Sequence, residues 1–434
     1  MAKIRVLIVD DAVVIRKIVN DIISSDSELE VVGTAPNGKV ALNKMASLQP
    51  DIVICDVEMP EMDGLQFLAE LRKIDNKVPV LMFSSVTTRG AAITLDAFAL
   101  GATDYIAKPS IQPNQEDLLK QLREELIAKV KKLVRRAGSL GLKSSAAAAT
   151  PPAAGMSARV SESSAPRGLP ARTGVGPRPV TSVSSAVGSD PASRSSLVMP
   201  ASVSVTPSPA TRPQVARGNA SPIQLGMGGK LEAVVIGVST GGPNALAVVL
   251  PSIPADFPLP ILIVQHMLPH FTRPLAERLS ARTAMPVEEG VAGSVLTPGR
   301  MWLAPGNFHM VVEKDGSQVR LKTHQGPPEN SCRPAVDVLF RSAAEVFGSR
   351  TLAVVLTGMG QDGLKGCEVI RGAGGQVIVQ DEASSVVWGM PGYVAKAGLA
   401  HKVLPLDQIA PEIVRRVSES RGASFGRHTL TQAT

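Results

Sequence analysis

From about Ser139 to Gly229 the chain is rich in Ala, Ser, Pro, Gly, Thr and Arg, with stretches such as Ala146-Ala147-Ala148-Ala149-Thr150-Pro151-Pro152 and Val205-Thr206-Pro207-Ser208-Pro209. Leu and Ile become scarce there and Phe is absent. Such a segment cannot bury enough apolar surface to offset the entropy lost on ordering it. It is predicted to be a disordered linker, and the 434 residues are expected to fold as two domains on either side of it.

Before the linker, apolar runs alternate with helical patterns. The runs are Ile4–Val9, Ile52–Cys55, Val80–Phe83 and Tyr105–Ala107, with Val31-Val32 as a shorter edge candidate. Amphipathic segments such as Ile15, Ile18, Val19, Ile22 and Leu65, Leu68, Leu71 lie between them, and Leu118, Leu122, Leu126, Val130, Leu133 mark a long closing helix. After the linker the same alternation resumes, with strand candidates at Leu231–Gly237, Ile261–Val264, Met301–Ala304, Leu352–Leu356 and Gln376–Gln380. Helical patterns follow at Ala245–Leu250 and Val336–Val346. The expected fold class is therefore α/β, with two doubly wound parallel-sheet domains joined by the linker. The boundaries fall at 1–125, 126–229, 230–420 and a flexible tail 421–434.

The net charge of +7 invites a nucleic-acid reading. Its distribution argues against one. Between Gln121 and Gly229 the only acids are Glu124, Glu125, Glu162 and Asp190, so the excess sits in the linker, with no aromatics interleaved for base stacking. A solvated linker accounts for it. Three cysteines, Cys55, Cys332 and Cys367, do not suggest a disulfide framework, and a reducing compartment is expected. Met1–Arg5 leads straight into a strand-like run without a signal-peptide pattern, and no uncharged apolar run is long enough to span a bilayer. A cytoplasmic protein with no membrane insertion is the expectation.

Asp10 and Asp11 follow the first strand candidate and Asp56 follows Ile52–Cys55. The C-terminal edge of an open parallel sheet is where ligands bind. Three carboxylates gathered there repel one another unless a cation joins them, and a hard, oxygen-liking ion such as Mg²⁺ suits them. Ser84 ends another strand at the same edge, and Lys108-Pro109 can bring an ammonium beside the acids. A carboxylate nucleophile, a divalent ion and a lysine make a phosphoryl-accepting site. Together with Met59-Pro60-Glu61-Met62-Asp63-Gly64, these residues resemble a response-regulator receiver over about residues 1 to 125. The resemblance implies that Asp56 accepts phosphate from a histidine kinase. It also implies that Asp11, Asp56 and the backbone carbonyl of Glu58 bind Mg²⁺ with Asp10 close by, and that Tyr105 is a switch aromatic alongside Ser84 and Lys108.

In the second domain, Gly237-Val238-Ser239-Thr240-Gly241-Gly242-Pro243 follows an apolar strand and opens a helix. Gly-x-Ser-x-Gly permits the sharp turn that lifts a serine hydroxyl from a sheet edge. A phosphate-cradling loop competes, but no Lys-Ser or Lys-Thr follows. A serine needs a base. Of the six histidines, His266 ends the strand Ile261–Gln265 and so sits at the same edge. His266 and His270 have the spacing of a helical metal pair, but Pro269 intervenes and no glutamate follows His266, which argues against zinc. The third member should be a buried carboxylate. Asp362, in Gly358-Met359-Gly360-Gln361-Asp362-Gly363 after a strand, is preferred over Asp337, which falls in a helical pattern, and over Asp381, a weaker rival at another strand end.

With Gln265-His266-Met267, Ser331-Cys332-Arg333-Pro334 and the run Gln380–Pro391, these motifs resemble the chemotaxis protein-glutamate methylesterases over about residues 231 to 420. Val238 stands where that family commonly has Ala, and the linker is longer than usual. The resemblance implies a hydrolase of glutamate methyl esters on chemoreceptors that also deamidates glutamine, with Met359 N–H in the oxyanion hole and no cofactor for the ester chemistry. It further implies a receiver that covers the substrate groove until Asp56 is phosphorylated. Two other classes are open to such a chain: a non-enzymatic signalling adaptor, and an esterase of this fold acting outside chemotaxis. Cys332 reads as a small packing residue, and Cys55 and Cys367 as core thiols.

Overall fold

A computed structural model describes residues 3–85, 87–108, 116–139 and 230–422. Residues 140–229 of the expected linker and 423–434 of the expected tail, with His428, lie outside the described residues, and so does Pro109 of the first domain. In the N-terminal region the elements run β1 (Ile4–Val9), α1 (Val13–Ser24), β2 (Leu29–Ala35), α2 (Gly38–Leu48), β3 (Ile52–Asp56), α3 (Gly64–Ile74), β4 (Val80–Ser84), α4 (Thr88–Ala99), β5 (Asp104–Ala107) and α5 (Glu116–Ser139). The strands form one parallel sheet in the order β2-β1-β3-β4-β5. Helices cover both faces, so β3 and β4 are buried throughout and read as unbroken apolar runs rather than alternating ones. The order reverses between β1 and β3, and there Asp10 and Asp56 emerge.

The C-terminal region continues with β6 (Ala233–Val238), α6 (Gly242–Val249), β7 (Ile261–Gln265), α7 (Pro269–Ser280), β8 (Val287–Glu289), β9 (Met301–Leu303), β10 (His309–Asp315) and β11 (Gln318–His324). It closes with α8 (Val336–Phe347), β12 (Thr351–Val355), α9 (Leu364–Gly372), β13 (Gln376–Gln380), α10 (Met390–Lys396), β14 (Lys402–Leu404) and α11 (Leu406–Arg421). Seven parallel strands run β14-β13-β12-β6-β7-β9-β8.

The sequence pattern misses four strands here. β8 and β14 are three-residue edge strands, too short to show a period, and β14 is mostly exposed. β10 and β11 pair antiparallel across Gly316-Ser317, with Gly316 at φ 59°. Only part of each strand of this hairpin is buried, so no continuous apolar run announces it; the two-residue Gly-Ser turn was the available signal. In the first region β2 is longer than Val31-Val32 suggested, a seven-residue edge strand with a register irregularity opposite Val6/Leu7. Among the described residues no helix is long and apolar enough to cross a membrane.

Candidate functional sites at two sheet edges

At the first edge Asp10, Asp11 and Asp56 bring carboxylate oxygens within 4.8 Å of one another. Asp10 and Asp56 are buried and Asp11 is exposed. Lys108 Nζ lies 2.7 Å from both Asp10 Oδ2 and Asp56 Oδ2, so one ammonium bridges two acids. Asp56 Oδ1 accepts the Val57 N–H at 2.6 Å. Even so, burial chiefly pushes the Asp56 carboxyl up to about 6; Lys108 pulls it down and Asp10 pushes it further up. A lone ammonium does not neutralise three acids, and an all-oxygen donor set open to solvent through Asp11 fits a hard divalent cation. The Glu58 side chain turns to Arg89, at 3.2 Å. Ser84 is fully buried, with its hydroxyl 3.3 Å from Gly90 O.

At the second edge the sheet order makes the argument. β6 is flanked by β12 and β7, so the chain leaves three adjacent central strands at Ser239, His266 and the Gly358–Asp362 loop. Ser239 occupies the turn between β6 and α6, with its N–H donating to Thr357 O at 3.0 Å. Gly241 has φ +77°, a left-handed conformation that glycine adopts without penalty. Gly358 must also be glycine, because an added Cβ would come within 2.9 Å of Ser239 Cβ. Gln265 Nε2 donates to Ser239 O and His266 O, each at 3.0 Å, and so ties the serine turn to the histidine turn.

His266 Nε2 lies 2.7 Å from Asp362 Oδ2. A carboxylate only accepts, so Nε2 carries the hydrogen and Nδ1 is left as the basic nitrogen of the neutral ring. Nδ1 faces Cys332 Sγ at 3.5 Å. The described residues include no hydrogen bond between Ser239 Oγ and His266; serine–histidine contacts are often loose before substrate binds. The imidazole is raised from its ordinary value to about 10. Burial opposes the charged ring, and the neighbouring Cys332 and Asp362 side chains outweigh it.

Asp362 is almost wholly buried, yet its carboxyl is held below the ordinary range. Burial raises it, and His266 with the Val336 and Asp337 N–H groups outweighs that. Those N–H groups open α8 and donate at 2.6 and 3.0 Å; Gly363 N–H adds another at 3.0 Å and Asn330 Nδ2 one at 2.9 Å. A helix N-terminus presents such unpaired donors to an anion.

The sequence pattern places His266 and Asp362 at one sheet edge, and the structure puts them in hydrogen-bond contact. The helical pattern argues against Asp337, yet Asp337 is part of the same network. Its carboxylate accepts from Gly363 N, Gly366 N and Asn330 Nδ2, and Asn330 bridges it to Asp362. Burial, with Asp362 beside it, pushes the Asp337 carboxyl up. Nothing in the sequence pattern singles out Asn330. Asp381, the weaker rival, caps a turn by accepting from Ser384 N and Oγ. His266 precedes α7, so it shares no helix face with His270. Cys332 differs from its expected packing role, being half-buried with its thiol on His266.

The two regions touch through α4, α6 and α7. Tyr105, at the end of the first sheet, stacks on Phe271 with ring centroids 4.7 Å apart. Its hydroxyl accepts the Leu268 N–H at 3.5 Å, two residues beyond His266. Asn244 Nδ2 donates to Ala102 O at 3.1 Å, and Arg278 pairs with Asp96. Val387 joins the apolar cluster of Ile8, Phe83 and Leu126, and Met359 and Val386 pack against it.

Residues 6–123 match the response regulator receiver domain and residues 234–413 match the CheB methylesterase family. A protein-glutamate methylesterase/protein-glutamine glutaminase of Trichodesmium erythraeum is 45% identical over 417 residues, covering 96% of this chain and 100% of the relative. One of a Nocardioides species is 43% identical over 421 residues, 97% of each chain. The crystal structure of the Thermotoga maritima CheB methylesterase catalytic domain is 42% identical, with a TM-score of 0.42, across 43% of this chain and 98% of that one. With its acid cluster at one sheet edge and its serine, histidine and aspartate at the other, the chain belongs to the CheB methylesterase family and carries a response-regulator receiver domain.

Proposed function

We propose that this protein hydrolyses γ-glutamyl methyl esters on chemoreceptors for adaptation in chemotaxis, with Ser239 as nucleophile, His266 as base and Asp362 orienting the base. The observation that carries the reading is the 2.7 Å contact of His266 Nε2 with buried Asp362, which leaves Nδ1 as the one basic nitrogen at the edge where Ser239 emerges. In this reading Nδ1 takes the Ser239 proton as Oγ attacks the ester carbonyl. The tetrahedral oxyanion is met by the Met359 N–H. Nδ1 returns the proton to the departing methoxide, and methanol leaves. Water, deprotonated by the same nitrogen, attacks the acyl-serine and releases the glutamate side chain. The same steps on a glutamine amide release ammonia.

The domains are taken as receiver 1–125, connecting segment 126–229, catalytic domain 230–420 and tail 421–434, in a cytoplasmic protein. The receiver takes phosphate on Asp56 from a histidine kinase. Asp10, Asp11, Asp56 and the Glu58 carbonyl would hold Mg²⁺, which when bound offsets negative charge on the phosphoryl group. Lys108 and Ser84 respond to the phosphate, and Tyr105 carries the change to Leu268 and Phe271. Restraint of the unphosphorylated enzyme is supported by that contact and by the packing of Met359 and Val386 against the receiver's apolar cluster.

The test is methanol release from methylated receptor membranes, with and without acetyl phosphate and Mg²⁺. The expected result is release by the wild type that rises with acetyl phosphate, no rise in Asp56→Asn, and near-total loss in Ser239→Ala. Substantial release by folded Ser239→Ala would defeat the assignment of the nucleophile.

A further inference from the structure

Asp362 occupies Nε2, so His266 has one basic nitrogen left, and in this structure a thiol lies against it. Cys332 is pinned there. It exchanges backbone hydrogen bonds with Glu329, at 2.8 and 3.1 Å, across a turn whose other members, Asn330 and Ser331, have positive φ. Asn330 in the same turn holds Asp362, so the loop that orients the triad carboxylate also delivers the thiol to the imidazole. The other two cysteines, Cys55 and Cys367, are fully buried, and burial chiefly pushes their thiols up. Thiol reactivity follows thiolate character and access, and Cys332 has both a base and partial exposure.

We propose that Cys332 and His266 form a modification site inside the esterase centre, at which a low-molecular-weight disulfide reversibly switches hydrolysis off. His266 Nδ1 takes the thiol proton and Cys332 Sγ attacks one sulfur of the disulfide RSSR. A Cys332–SR bond forms as the RS–SR bond breaks. The departing thiolate takes the proton from the imidazolium and leaves as RSH. The added group then crowds Nδ1, the nitrogen that must take the Ser239 proton. A reducing thiol reverses the exchange, so a cell losing its reducing poise would lose demethylation without losing the protein.

The effect on hydrolysis rests on the triad reading above; the exchange itself does not, and the experiment separates them. Full-length protein is treated with oxidised glutathione, adducts are mapped by mass spectrometry, and methanol release is followed in the same samples. Cys332 is expected to carry the adduct and Cys55 and Cys367 none. His266→Ala and His266→Gln should slow the exchange roughly tenfold, because the thiolate is the attacking species and the imidazole is the base that generates it. Labelling of Cys55 or Cys367 in either variant would expose an unfolded sample, and the other variant then decides. Wild-type methanol release should fall as the Cys332 adduct accumulates and return with dithiothreitol. Cys332→Ser, whatever its own rate, should lose nothing further to the disulfide. Absence of a Cys332 adduct, unchanged exchange in folded His266 variants, or full methanol release by stoichiometrically modified wild type would overturn the proposal. A wild type that forms the His266-dependent adduct but releases no methanol would leave the exchange site standing and fault the triad reading instead.

Discussion

The two sheet edges start from the same architecture and solve opposite problems. At the first, three carboxylates converge and one ammonium joins two of them, so burial and mutual repulsion leave Asp56 at about 6. At the second, Asp362 is equally buried but meets three backbone N–H groups, Asn330 and His266, and its carboxyl is held low. One edge is short of positive charge and calls for a cation. The other is completed by the chain's own helix N-terminus and loops. The first edge is left electrostatically open and the second is pre-satisfied.

The comparison breaks most visibly at Ser239. In serine hydrolases, loss of nucleophile or base costs on the order of 10⁶-fold in kcat, and the losses do not add. Ser239→Ala and Ser239→Ala/His266→Ala should therefore be almost equally inactive in methanol release; a double variant far worse than either single one would mean the two do not act together. Asp362→Asn follows, at about 10⁴-fold, the loss seen when the orienting carboxylate becomes an amide. Its pH profile sharpens the comparison. In the proposed mechanism the base works as neutral imidazole, and removing the Asp362 charge lowers the His266 pKa. The acid limb of kcat/KM should move to lower pH even as the plateau falls, and an unmoved limb would separate Asp362 from the base.

How much of this was legible depended on where each residue stood. Strands buried on both faces give unbroken apolar runs, so Asp10, Asp56, Ser239 and His266 at their ends, and Asp362 in the glycine-rich loop after β12, can be assigned to a sheet edge. Asp337 and Asn330 cannot. Asp337 opens α8 and Asn330 sits in an irregular turn, and nothing in a helical period or a turn composition says that either will reach Asp362. The thiol contact of Cys332 was hidden for the same reason, since the loop that bears it belongs to no strand. Short edge strands and the β10–β11 hairpin were missed because partial burial leaves no continuous apolar signal.

At the first edge the predicted effects are smaller. In the proposed receiver site only ionised Asp56 attacks a phosphoryl donor, so labelling by acetyl phosphate at limiting Mg²⁺ should fall below pH about 6, by about tenfold per pH unit. Saturating Mg²⁺ stabilises the carboxylate and should move that limb to lower pH; an identical limb at both concentrations would mean that the cation does not meet Asp56. Smallest is the link between the edges. An aromatic pair contributes about 0.5–1.5 kcal/mol beyond its buried area. Tyr105→Ala should thus raise the methanol release of unphosphorylated protein severalfold and leave the acetyl phosphate-treated rate nearly unchanged. No rise would mean that the stack on Phe271 does not restrain the enzyme.

The central claim, a Ser239 nucleophile driven by His266 and released by phosphate on Asp56, is tested most directly by labelling the full-length protein with a fluorophosphonate. One adduct is expected, on Ser239, formed faster after acetyl phosphate and Mg²⁺, unchanged by that treatment in Asp56→Asn and absent in His266→Ala. An adduct on another residue, or a Ser239 adduct formed as fast without His266, would contradict it.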